Sequence, residues 1–158
     1  MNLSQTELDL YQELQPYFSQ DWEVGDFAYD LMYYSTKLVV TKVYAPDKIT
    51  VSAKGVDIFY GFERAIDNLI RLPLPIDPGD PERISRGKKP RGLEGMIKEF
   101  RSLILQSDKT WVCTTWDAGA DEKDDEEGNY SCANQRFYYG TTPTLALLKA
   151  LKEQTVQK

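Results

Sequence analysis

Apolar positions along the chain follow two periods, one close to 3.6 residues and one close to 2. Leu8, Tyr11, Leu14 and Phe18 stand three to four residues apart behind Ser4-Gln5-Thr6-Glu7. That spacing gives one helical face, and Ser followed three residues later by Glu is a capping pair for the first turn. A helix is predicted to about Phe18, with Pro16 weakening its last turn. From Trp22 to Tyr60 the pattern changes to β. Lys37–Tyr44 is rich in β-branched residues, Ala45-Pro46-Asp47-Lys48 has turn chemistry, and Ile49–Ser52 returns as a hairpin partner. Val56–Tyr60 reads as a further strand.

Phe62, Ile66, Leu69 and Ile70 predict a short helix that Pro73 ends. Between Leu72 and Gly92 five prolines interrupt the chain, and no regular element is expected there. Leu93, Met96, Ile97, Phe100, Leu103 and Ile104 then fit one face of a helix. Thr110–Trp116 and Tyr130–Tyr139 read as strands. Thr142 and Pro143 have the chemistry of a helix N-cap and first position, and Leu145, Leu148 and Leu151 supply that helix's apolar stripe. Together these elements predict an α+β fold, a mainly antiparallel sheet covered by helices in a sandwich-like way. A chain of 158 residues is expected to form a single domain, with a long basic loop at about 72–92 and an acidic hairpin loop at about 117–129.

Composition narrows the chemistry. The chain has no histidine, which removes the usual general base near neutral pH and every Ser-His or Cys-His arrangement. Its two cysteines, Cys113 and Cys132, are too few for a four-cysteine metal site. If the strands flanking the acidic loop pair symmetrically, these cysteines fall nearly opposite each other, as a redox couple or as two buried apolar thiols. Neither a basic n-region nor an apolar h-region opens the chain, so cytoplasmic residence with reduced thiols is expected, and no membrane span is predicted.

A net charge of −6 opposes general binding to polyanions, but the sign is uneven along the chain. Asp117 to Glu127 holds seven carboxylates and one lysine, read as a solvated hairpin tip in preference to a Ca²⁺ or Mg²⁺ site. Arg83, Arg86, Lys88, Lys89 and Arg91 form a basic stretch suited to phosphates or to an acidic partner. Phe27, Tyr29, Tyr33, Tyr34, Tyr44 and Phe137-Tyr138-Tyr139 are aromatic strand positions, of which alternate members face opposite sides. Tyr138 joins the five basic residues as the predicted contact set. No catalytic residue, metal ligand or cofactor is assigned.

Two segments carry a resemblance. Leu72-Pro73-Leu74-Pro75-Ile76-Asp77-Pro78, with Glu82-Arg83 and Gly92-Leu93-Glu94-Gly95-Met96, resembles a Pro-rich motif of uncharacterised bacteriophage and prophage proteins. In those the Glu-Arg step leads directly into Gly-Leu, so Ile84–Arg91 looks like an insertion. Gly140–Ala150 is similar to the last helix of small phage ABA-sandwich proteins. The resemblance covers about a third of the chain. It implies a phage or prophage origin, a helix–sheet–helix sandwich and a basic insertion peripheral to the fold, and it brings no established activity. The leading expectation is a non-enzymatic accessory protein with a protein partner. The alternatives are a nucleotide or nucleic-acid binder using residues 83–91, and a Mg²⁺-dependent phosphoryl hydrolase drawing on Asp26, Asp30, Asp57, Asp77 or Asp117.

Overall fold

Ser4 caps the first helix as its sequence predicts. The Glu7 amide donates to Ser4 Oγ at 3.2 Å, and the Ser4 amide donates back to Glu7 Oε1 at 3.4 Å. Helix α1 runs Gln5–Leu14, and a 3-10 turn, Gln15–Tyr17, containing Pro16 follows it. The computed structural model describes residues 3–18, 21–31, 36–61, 66–116 and 135–156. Its contacts cluster into two compact units, Met1–Leu74 and Pro75–Lys158. Each holds helices and one antiparallel sheet, so the α+β, mainly antiparallel class is as expected, with two sheets where one was expected.

The first unit contains β1 (Phe27–Asp30), β2 (Lys37–Ala45), β3 (Lys48–Ala53), β4 (Val56–Tyr60) and β5 (Leu69–Arg71), in the order β4-β3-β2-β1-β5. Pro46-Asp47 joins β2 to β3, as the turn chemistry predicts, and Ala45 pairs with Lys48 across it. Alternation sets the core. Val40 pairs with Val51 and Val51 with Ile58, Ala28 pairs with Leu38, Ile49 pairs with Tyr60, and all of these side chains are buried. Period-two strands put such partners on one face. Tyr60 also donates its hydroxyl to the buried Asp30 carboxylate, which satisfies both polar groups inside the core.

The short helix predicted from Phe62 to Ile70 is not formed within the described part of that stretch. Ile66–Asn68 is a 3-10 turn and Leu69–Arg71 is β5, while residues 62–65 lie outside the described residues. The reason is pairing: Leu69, Ile70 and Arg71 find partners in Asp30, Tyr29 and Ala28, and strand pairing overrides a short helical pattern. Gln15 then completes β5. The Arg71 amide donates to Gln15 Oε1 and Gln15 Nε2 donates to the Arg71 carbonyl, each at 2.8 Å. One amide side chain therefore does for β5 what a further strand would do.

The second unit contains α2 (Asp80–Ser85), α3 (Leu93–Met96), β6 (Phe100–Leu105), β7 (Trp111–Trp116), β8 (Gln135–Gly140) and α4 (Pro143–Val156), with strand order β6-β7-β8. Helix α2 corrects the expectation that prolines preclude an element between 72 and 92. Pro81 stands in the first turn, where a missing N–H costs the helix nothing. The long helix predicted from Leu93 to Ile104 is also corrected. It stops at Met96, Ile97 is extended, and Glu99 takes a left-handed φ of 56°. Leu103, Ile104 and Leu105 instead pair with Cys113, Val112 and Trp111. Apolar residues three and four apart satisfied a helical template that the strand ladder outcompeted.

Thr142 caps α4 by accepting the Leu145 amide at 3.0 Å, as predicted. Leu145, Leu148 and Leu151 are buried, together with Ala146, Leu147 and Ala150. Helix α4 packs on β7, β8 and α3. The approach is close at Gly140, where an added Cβ would stand 2.6 Å from the Ala146 amide nitrogen and 2.9 Å from Leu145 Cβ. Among the described residues no helix is long and apolar enough to cross a membrane. Gly140→Ala is expected to lower unfolding stability by about 1–3 kcal/mol through overpacking against α4. Urea denaturation followed by circular dichroism checks this, and an unchanged midpoint would contradict the packing described.

Candidate functional site

The predicted basic contact set separates into an internal part and an external part. Asp80, buried at the start of α2, is the organising group. Its Oδ1 accepts the Arg91 amide at 2.7 Å and the Arg83 guanidinium at 2.9 Å, and its Oδ2 accepts the Gly92 amide at 2.8 Å. Arg83 also lies 3.1 Å from Asp77. At Gly92 a Cβ would fall 2.7 Å from the Asp77 amide nitrogen, so the chain passes where only glycine fits. Arg83 is thus held by two carboxylates, and Arg91 is buried. That corrects the picture of a wholly peripheral insertion: its last residue is tied into the unit through its own backbone.

Arg86, Lys88 and Lys89 are exposed. Arg86 is paired with Glu82 at 2.7 Å, one helical turn earlier. An exposed pair of this kind contributes only a few tenths of a kcal/mol, which leaves Arg86 open to exchange partners. The turn is shaped by Gly87, with φ of 73°, and by the Lys88 amide donating to the Arg83 carbonyl at 2.8 Å. Three cations accordingly project from a bonded turn rather than from an irregular loop.

Tyr138, the sixth predicted contact residue, is buried opposite Cys113 in the ladder and belongs to the interior. Burial pushes its hydroxyl pKa up, and the Glu153 carboxylate adds to this, against the opposing pull of Arg136 and Thr115. Its neighbours Phe137 and Tyr139 are the outward residues, each 48% exposed. Three aromatics in a row leave the phase of alternation open in the sequence. The pairing of β8 with β7 and its cover by α4 decide it.

The outward face of this sheet exposes Ile104, Phe137 and Tyr139 on its two edge strands, while Val112 and Thr114 on the central strand between them are buried. One cross-strand row is Ile104, Val112 and Tyr139, and the next is Ser102, Thr114 and Phe137. Trp116 continues the same face on β7, with the Arg101 guanidinium 4.8 Å from its ring centroid. Lys149 lies at the β8 margin, its ammonium donating to the Tyr139 carbonyl at 2.7 Å. Ile104 is 58% exposed. On the opposite face Arg136 is paired with Glu153 of α4.

Cys113 faces inward between Leu103 and Tyr138, so the expected opposition of Cys113 and Cys132 gives way to Cys113 and Tyr138. Cys132 lies outside the described residues, as do Asp117, Tyr33, Tyr34 and the acidic stretch 117–129. Burial, with a smaller push from the Glu94 carboxylate, raises the Cys113 thiol from its ordinary 9.0 to about 12. Among the described residues no three His, Cys, Asp or Glu side chains gather where a metal ion could sit. Asp26 is paired with Arg71, Asp30 with Tyr60 and Asp77 with Arg83, so the aspartates considered for a hydrolase are dispersed.

The first unit holds a cavity of about 490 Å³ lined by Trp22, Pro46, Ile66, Asp67 and Arg71 among others. Arg71 there is engaged inside the protein, 3.6 Å from Asp26, bonded to the Asp21 carbonyl and 4.7 Å from the Trp22 ring centroid. No family model, curated protein or solved structure matches the chain.

Two outcomes follow for the second unit. Asp80→Ala is expected to cost about 2–4 kcal/mol, because it removes the acceptor of the Arg91 and Gly92 amides and one of the two carboxylates that hold Arg83; thermal unfolding measures it. The Cys113 pKa is raised on folding, so its contribution to stability is complete below pH 9 and is lost as pH rises toward 12. In a Cys132→Ser background, a thiol reagent at pH 8 should therefore label Cys113 only at the rate of unfolding. Rapid labelling of the native protein would show an accessible thiol.

Proposed function

We propose that this chain is a non-enzymatic, cytoplasmic accessory protein, of the phage or prophage kind its sequence resembles, that holds a macromolecule against the open face of β6, β7 and β8. The observation that carries this reading is the exposure of Phe137 and Tyr139 beside Ile104, on the sheet face opposite the one that packs on α4. Large rings left in water are unfavourable by roughly 25 cal/mol per Å² of apolar surface, and aromatic residues are enriched where one molecule meets another. The absence of histidine from the sequence agrees with binding rather than acid–base turnover.

A second reading, binding of a nucleotide or nucleic acid through the basic segment, has in its favour the exposed Arg86, Lys88 and Lys89. It draws on three of the five basic residues, since Arg83 is held by Asp77 and Asp80 and Arg91 is buried. Replacing Phe137 and Tyr139 together with Ser is expected to abolish stoichiometric co-purification of the macromolecule from host extract. The unfolding midpoint should stay near that of the parent, since both side chains point away from the core. Retained co-purification with the double variant, and loss with Arg86, Lys88 and Lys89 changed to Gln, would transfer the function to the basic turn.

A further inference from the structure

Resting on the open face as the binding surface, we infer that its occupant is a single-stranded nucleic acid, stacked base by base on Tyr139 and Phe137. Three features of the face point to this ligand. The two rings stand at positions i and i+2 of one strand, about 6.8 Å apart at the usual rise. Consecutive bases of an extended strand can each take one ring at that separation. Every base has a π-face, so the contact needs no particular sequence.

Two exposed cations flank the face. Arg101 lies over Trp116 at one end of the face, and Lys149 lies beside Tyr139 at its margin. Ser102 on the opposite edge strand, partly exposed and in the same row as Phe137, brings a hydroxyl that can bond a base edge. A partner protein's apolar patch would use the rings and Ile104 but would gain little from this flanking charge.

The net charge of −6 does not oppose the inference, because its sign is partitioned. Residues 1–74 carry eleven carboxylates against six Lys and Arg, and residues 117–134 carry seven against one. Residues 75–116 and 135–158, which supply the sheet and its helices, carry twelve Lys and Arg against seven carboxylates. Counted whole, the unit Pro75–Lys158 carries thirteen Lys and Arg against fourteen carboxylates, so it is close to neutral and most of the chain's net negative charge lies in residues 1–74. A duplex is disfavoured as the ligand, since its base faces are already stacked and give the rings nothing to cover.

The experiment is fluorescence anisotropy with a labelled twelve-nucleotide oligothymidine, its oligouridine counterpart and a twelve-base-pair duplex, each between 25 and 200 mM salt. Single strands should bind with an affinity that falls with salt, and the duplex should bind at least tenfold more weakly. Phe137→Leu and Tyr139→Leu keep apolar bulk but remove the π-face. Each should weaken single-strand binding about tenfold or more, with the unfolding midpoint unchanged. Equal affinity for duplex, or leucine variants that bind like the parent, would overturn the inference. If no oligonucleotide binds and the Phe137/Tyr139 serine variant still loses a protein partner from extract, this inference fails while the binding face stands. If that variant also keeps its partner, both fail.

Discussion

Much of the second unit follows from one constraint: helix α4 lies on β7 and β8, and a strand can offer each residue to only one of its two faces. Once Leu145, Leu147 and Leu148 are buried with Cys113 and Tyr138, every second residue of β8 must turn outward. Phe137 and Tyr139 are exposed for this reason, as a geometric consequence of the packing beneath them. The tight approach at Gly140 and the cap at Thr142 place the start of α4 at the end of β8, so strand and helix share one register. The candidate binding face and the interior are two readings of the same alternation.

Buried polar groups organise the parts that alternation does not reach. Asp80 gathers the Arg83 guanidinium and the amides of Arg91 and Gly92, converting a Pro-rich and Gly-rich stretch into a bonded turn. A carboxylate that accepts several such bonds is a strong local constraint, because charge-assisted bonds in a buried setting are worth more than neutral ones. In the first unit Gln15 does comparable work on the backbone of Arg71, and Tyr60 serves the Asp30 carboxylate.

The division of charge gives these elements a common sense. The long basic stretch in the sequence suggests a single contact arm, yet two of its five cations are committed inward to Asp77, Asp80 and the unit's interior. What remains outside is a turn bearing Arg86, Lys88 and Lys89, on the same unit as an aromatic face flanked by Arg101 and Lys149. The net acidity of the whole chain lies mainly in residues 1–74, which carry eleven carboxylates against six Lys and Arg.

Local chemistry made several elements legible in advance. The Ser4–Glu7 box, the Pro46-Asp47 turn, the β-branched strands from Lys37 to Tyr60 and the Thr142-Pro143 helix start depend on residues only a few positions apart, and all are formed. The α+β class followed from their sum. Where neighbours in space decided, the sequence was ambiguous. Leu93–Ile104 fitted a helix until β7 supplied a ladder for its second half, and Leu69–Arg71 became a strand because β1 was there to pair with it. The candidate site shows the same limit: the residues Phe137, Tyr138 and Tyr139 announced aromatic surface, but which of them faces outward is a one-residue phase that only α4 packing sets. Propensity, capping and turns are written in short stretches of chain, whereas register, facing and the fate of a buried charge depend on contacts made across many residues.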